Sequence, residues 1–208
     1  MPVDSPRRTN LEVALPGDWW QVPLEDSSAA RASIREYVSQ SVGPRDDRAQ
    51  LRFDLRQHIN HAVEEARGAG GVAMYFLREL APGVPIPINL TTYQPQLPER
   101  ITDRIGAGVA TESLAASLRE DSPTSIVTAY AEDGVGVVRD LRLKLLTGEA
   151  GDQEYMLRAD YWLLRDDIYE PWLLAFGSPA IWRDELGPLG DFLDAIARTA
   201  SWVPTTPA

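Results

Sequence analysis

With 208 residues, a formal net charge of -11 and no cysteine, the chain is long enough to bury a continuous core without disulfides or thiolate-bound metal. The surplus of acid repels phosphate backbones and anionic bilayers, which argues against nucleic acid or a membrane as partner. The acids are scattered, as they are when charge serves solubility, and 19 arginines against a single lysine point to a GC-rich, actinobacterial type of genome.

Residues 1–10 read as a flexible N-terminal segment, polar and without the apolar stretch that a secretory leader needs after Arg7 and Arg8. Leu11 to Leu24 holds two short extended pieces around the turn Pro16-Gly17-Asp18. Ser27 and Ser28 can cap a helix to about Val42, with Ala30, Ile34, Tyr37 and Val38 at helical spacing. Beyond Gly43-Pro44 a longer helix, opened by Asp46 and Asp47, runs to about Arg67 along the apolar line Leu51, Leu55, Ile59, Ala62, Val63 and Ala66. The glycines of Gly68-Ala69-Gly70-Gly71 end it.

The period then changes. Val72–Leu80 and Ile86–Tyr93 read as a hairpin joined through Ala81-Pro82-Gly83, followed by a loop over Gln94–Gly108 and a short helix over Val109–Arg119. Three strands come next, Ser125–Ala131, Val135–Leu146 and Glu154–Leu164, the first two joined at Asp133-Gly134, a strong hairpin signal. In the middle strand Val137, Leu141, Leu143 and Leu145 alternate with Asp140, Arg142 and Lys144, which predicts one buried and one wet face. A last strand, Pro171–Phe176, precedes a helix from Leu186 to Trp202 whose stripe is Leu189, Phe192, Leu193, Ile196, Ala197 and Ala200. Residues 204–208 read as a flexible tail, and no run approaches the ~18 apolar residues of a membrane span. Few strands are separated by crossover helices, so the expectation is α+β: one domain over residues 11–203, a mostly antiparallel sheet covered by helices.

Candidate chemistry is sparse. His58 and His61 with Glu64 and Glu65 share one helix, but two histidines and a carboxylate at these spacings are most simply a solvated helix face, so no metal is expected. The clusters Gly68–Gly71 and Gly106-Ala107-Gly108 lack the strand, turn, helix order of a dinucleotide loop and read as caps or turns; no cofactor is expected. No Gly-x-Ser-x-Gly elbow is present, and Ser178, before Pro179, reads as a turn cap. The acid pairs Asp46-Asp47, Glu132-Asp133 and Asp166-Asp167 fall at a helix start or in turns. The tryptophans stand out: Trp19, Trp20, Trp162, Trp172 and Trp182 all fall near strand ends or turns, where large amphipathic rings suit a protein-docking patch as well as a core. On a strand, adjacent Trp19 and Trp20 point to opposite faces, so one of them is expected to face outward.

The opening Leu15-Pro16-Gly17-Asp18-Trp19 and the closing Leu174 to Ser178, with Phe192-Leu193-Asp194-Ala195-Ile196-Ala197-Arg198-Thr199-Ala200-Ser201-Trp202, resemble the two ends of the PsbP-like fold, which includes DcrB-type lipoproteins and LpqN-type actinobacterial proteins. The resemblance implies an antiparallel sheet sandwiched by helices and a role as a binding, assembly or accessory protein, and it carries no active-site residue onto this chain. The sequence therefore leads to a non-enzymatic protein-binding or assembly module of the bacterial cytoplasm, taking a protein partner or a second copy of itself through a tryptophan-bearing sheet edge and the terminal helix. The alternatives are a chaperone or adaptor of a secretion system, and a small-molecule binder or hydrolase with a cavity between sheet and helices.

Overall fold

The computed structural model describes residues 9–83, 87–97, 106–147, 153–165, 171–179 and 186–204. The chain is α+β, and its contacts fall into two compact units, one formed by residues 16–93 and the other by residues 1–15 with 94–208.

In the unit of residues 16–93, strand β2 (Asp18–Pro23) leads into helix α1 (Ser27–Val42), a short 3-10 turn and helix α2 (Ala49–Gly68), and then into strands β3 (Gly71–Glu79) and β4 (Asn89–Tyr93). Asp26 starts α1 by accepting from the backbone N–H groups of Ser28 and Ala29, one residue earlier than a serine cap. The strands lie in the order β2-β3-β4, each pair antiparallel. Val22 and Met74 face α1 and α2 and join Ile34, Val38, Ile59 and Val63 in one buried cluster, with Trp20, Tyr37 and Phe76 packed against it. The expected apolar line of α2 holds only in its second half. Ile59, Val63 and Ala66 are buried, whereas Leu51 in the first turn is 55% exposed.

In the other unit, β1 (Thr9–Glu12), helix α3 (Ala107–Asp121), strands β5 (Ile126–Glu132), β6 (Val135–Thr147), β7 (Gln153–Arg165) and β8 (Trp172–Pro179), helix α4 (Leu186–Arg198) and β9 (Ser201–Pro204) follow in chain order. The array runs β8-β7-β6-β5, antiparallel throughout, and β1 pairs separately with β9. Asp133 at φ 50° and Gly134 at φ 75° form the two-residue turn that the Asp-Gly pair predicts, with both central residues left-handed. Helix α3 lies on the face that carries Val138 and Leu164, where Ala110, Leu114 and Ala115 meet them. Gly136 permits that approach, because a β-carbon there would collide with the Thr111 hydroxyl and stand 3.0 Å from the Ala107 carbonyl. On the opposite face Tyr161, 1% exposed, donates to Asp194 of α4 at 2.6 Å, and Arg139 holds the other oxygen of that carboxylate at 2.8 Å.

Three expectations are corrected. The two opening strands do not pair with each other: β2 pairs with β3, and β1 pairs with β9, where Thr9 and Asn10 stand opposite Pro204 and Val203. The terminal helix stops at Arg198 rather than Trp202, since the Thr199 hydroxyl bonds back to the Ile196 carbonyl at 2.7 Å and accepts from the Ala14 N–H at 2.9 Å, turning Ser201–Pro204 into β9. The alternation in β6 does not separate a buried face from a wet one. Asp140, on the polar face, is fully buried, while Leu143 and Leu145, on the apolar face, are 37% and 46% exposed. Burial follows the layer that covers each stretch of strand, and the 13-residue β6 outruns its cover on the apolar side.

Candidate binding cleft

The ring of Trp20 lies on the α1 side of β2, where its indole N–H donates to the Ser33 hydroxyl at 2.8 Å and that hydroxyl donates to the Gln21 carbonyl at 2.9 Å. Two fixed hydrogen bonds therefore set the ring's orientation. Tyr37, one turn further along α1, stands 6.1 Å from Trp20 and 5.4 Å from Phe76 of β3, centroid to centroid. These are the separations at which tilted aromatic pairs attract. Arg78 completes the group: its guanidinium lies 5.7 Å from the Trp20 centroid, its Nε is 3.2 Å from Asp18 and its Nη1 donates to Gln40 at 3.0 Å.

Beside this aromatic and arginine cluster opens a cleft of about 560 Å³, lined by Tyr37, Gln40, Ser41, Leu77, Arg78, Glu79 and Pro87. The Tyr37 hydroxyl meets the Ser41 side chain, and burial pushes its pKa above the usual phenol range, so it is a neutral donor at physiological pH. The Glu79 carboxylate accepts from the Gly83 N–H at 3.1 Å. The cleft thus presents a hydroxyl pair, an amide, a guanidinium and a carboxylate, with Leu77 and Pro87 among its lining, a set of polar groups able to orient a ligand.

Of the singled-out tryptophans among the described residues, Trp20 alone stands beside this cleft, through its contacts with Tyr37 and Arg78. Trp19 projects to the opposite face of β2, donates to the Pro16 carbonyl at 2.7 Å and is half-buried like Trp20, so neither ring stands free in solvent. Trp162 packs half-buried against the α3 cluster, and Trp172 is 3% exposed in the core; both belong to the unit of residues 94–208, and each has a buried indole N–H without a partner among the described residues. Trp182 lies outside the described residues, as do Asp166 and Asp167. Tyr37, Gln40, Ser41 and Arg78 were not singled out by the sequence. Tyr37 was legible only as a core position of a helix, and Arg78 only as a charge inside an apolar strand.

The remaining candidates have structural surroundings. His61 pairs with Glu65 at 3.4 Å on the exposed face of α2, and no group of three or more ligating side chains able to hold a metal occurs among the described residues. Ser178 sits within β8 opposite Leu157, not in a turn, and is 3% exposed. Gly70 leaves α2 with φ 78°, and Gly106 precedes α3 as its N-cap.

A concentration of charge that the sequence did not announce lies on β6 and β7. Asp140 faces Asp160 across the register and Arg142 faces Arg158, so like stands opposite like. Bonds along and diagonal to the strands make this tolerable. Arg142 reaches Asp140 at 2.6 Å and Asp160 at 3.1 Å, and Arg158 reaches Asp160 at 2.6 Å. Burial raises the Asp160 pKa above the ordinary carboxylate value, against the pull of Arg158.

No protein-family model matches the chain, and no curated protein matches it by sequence. Among solved structures the chain is similar to LpqN of Mycobacterium tuberculosis, described as involved in cell envelope biogenesis, at 12% identity and a TM-score of 0.38, over 97% of this chain and 88% of that one.

Proposed function

We propose that the protein is a non-enzymatic binding module that works in the cytoplasm and recognises a segment of a protein partner in the cleft beside Trp20, Tyr37 and Arg78. The observation that carries this reading is the cleft itself, a half-open trough of about 560 Å³ in which tyrosine and arginine side chains held by fixed partners line the wall. Tryptophan, tyrosine and arginine are the residues in which binding energy concentrates at protein interfaces. The resemblance of the chain's ends to PsbP-like proteins, which act mainly in binding and assembly, points the same way.

The same volume favours a second reading, a small ligand held between α1 and β3, because it falls within the range of small-molecule sites. One experiment separates the two. Purified wild type and an Arg78→Gln/Tyr37→Phe variant are screened by thermal shift against a metabolite library, then used side by side in affinity capture, with direct titration of any captured protein. A metabolite at 100 times its Kd stabilises by about 2.7 kcal/mol, a shift of roughly 5–10 °C. Such a shift in wild type alone supports the small-ligand reading. A purified partner that binds wild type at least tenfold more tightly than the variant supports the module reading, and equal binding to both refutes the cleft as its recognition face.

A further inference from the structure

The structure contains two outer strands that differ in how they are guarded. β2, the outer strand of the β2-β3-β4 array, carries Asp18, a register shift after it, and Pro23. Charges, bulges and prolines are the devices that keep a sheet edge from pairing with another chain. β5, the outer strand of the β8-β7-β6-β5 array, has neither a bulge nor a proline. Its sequence is Ile-Val-Thr-Ala-Tyr-Ala-Glu, its register with β6 is unbroken over all seven residues, and its one charge is the last residue, Glu132.

The hairpin turn fixes which backbone groups β5 leaves open. Glu132 and Val135 close a two-residue turn and form a hydrogen-bonded pair, so Thr128, Tyr130 and Glu132 bond to β6 while Val127, Ala129 and Ala131 point their N–H and C=O groups away from it. Arg119 of α3 donates to the Val127 carbonyl at 3.4 Å, as the alternation requires. No strand among the described residues occupies that edge. The side chains beside it are apolar and exposed: Ile126 at 59% and Tyr130 at 42%, on the same face as Leu143 and Leu145.

From this we infer that β5 is a homodimer edge, pairing antiparallel with β5 of a second copy about a two-fold axis at Ala129. Pairing about that residue sets Val127 opposite the second copy's Ala131 and satisfies all the outward N–H and C=O groups of both strands. It sets Tyr130 opposite the second copy's Thr128 and diagonal to its Ile126, within reach of an aromatic ring. The charges also fit a second copy. The two Glu132 carboxylates stand at opposite ends of the ribbon, so pairing brings no like charges together. A two-fold interface needs one patch to complement itself, and this strand does so in backbone and side chains, with its one charge kept at the far ends.

Sedimentation equilibrium of the full chain, from low micromolar to a few hundred micromolar, tests the inference, with amide hydrogen exchange at the two ends of that range. Wild type is expected to pass from chain mass to twice that mass, with the amides of Val127, Ala129 and Ala131 slowed at least tenfold at high concentration. Ala129→Pro removes an outward N–H at the axis without touching the ladder to β6, and Thr128→Lys adds two like charges beside the axis. Both variants are expected to stay monomeric with wild-type circular dichroism, and should Ala129→Pro not fold, Thr128→Lys decides. Wild type that remains monomeric throughout, or dimers that survive Thr128→Lys, would overturn the inference.

Discussion

Replacing Arg142 by Met tests the reading of the charged ladder on β6 and β7. The Asp140 side chain is 0% exposed, its Oδ2 is held by Arg142 at 2.6 Å, and its Oδ1 has no partner among the described residues. Arg142 is therefore what compensates this carboxylate, while Asp160 keeps Arg158 whatever happens at position 142. Removing one partner of a buried ion pair costs about 3–5 kcal/mol. The Arg142 side chain is 42% exposed, so solvent already screens the pair, and the expected loss is about 2–3 kcal/mol. Urea unfolding followed by circular dichroism measures it. The decisive arm is the double variant Arg142→Met/Asp140→Asn: with the buried charge gone, the loss at position 142 shrinks, giving a coupling of about 1–2 kcal/mol between the two sites. A loss below about 0.5 kcal/mol for Arg142→Met, or strictly additive effects in the cycle, would show that Asp140 does not depend on that arginine.

Gly136→Ala drives a methyl group into the Thr111 hydroxyl, which is anchored to the Ala107 carbonyl at 2.5 Å, and is expected to destabilise by about 1–3 kcal/mol in the same unfolding assay. Asp160 has a raised pKa in the folded chain, so the folded state binds its proton more readily than the unfolded chain and loses stability as pH rises from 3.8 through the folded value. Asp160→Asn is thus expected to show a stability difference from wild type that drifts in favour of the variant across that window and is flat above it. Asp26 has the opposite sign, its pKa lowered by the Ser28 hydroxyl and by the Ser28 and Ala29 N–H groups. Asp26→Ala is expected to melt below wild type at neutral pH, with the gap closing as pH falls below 3.8 and the wild-type cap is protonated.

Elements with a strong local signal were legible in the sequence. The Asp133-Gly134 turn, helix α1 and the strands β6 and β7 lie within a few residues of where turn chemistry and periodicity put them. Pairing between distant segments was not: nothing local in Thr9–Glu12 or Ser201–Pro204 says that they find each other, and the continuous apolar pattern through Ala200 hid the stop that Thr199 makes with its hydroxyl. Burial in β6 was misread for a related reason. Alternation tells which residues share a face, but whether that face is covered depends on α3 and α4, placed by other parts of the chain. The cleft was half legible. Trp20 announced itself by size, whereas Tyr37 and Arg78 acquire meaning only when α1 and β3 are packed together.

The ribbon of β1 and β9 has a practical corollary. Because Thr9 lies opposite Pro204, segments attached directly before the first strand and directly after the last would start side by side. A short linker could equally join β9 directly to β1, with the chain opened at the Asp133-Gly134 turn instead. Clipping either four-residue strand by protease should release the other, which makes limited digestion from one terminus readable at the opposite one.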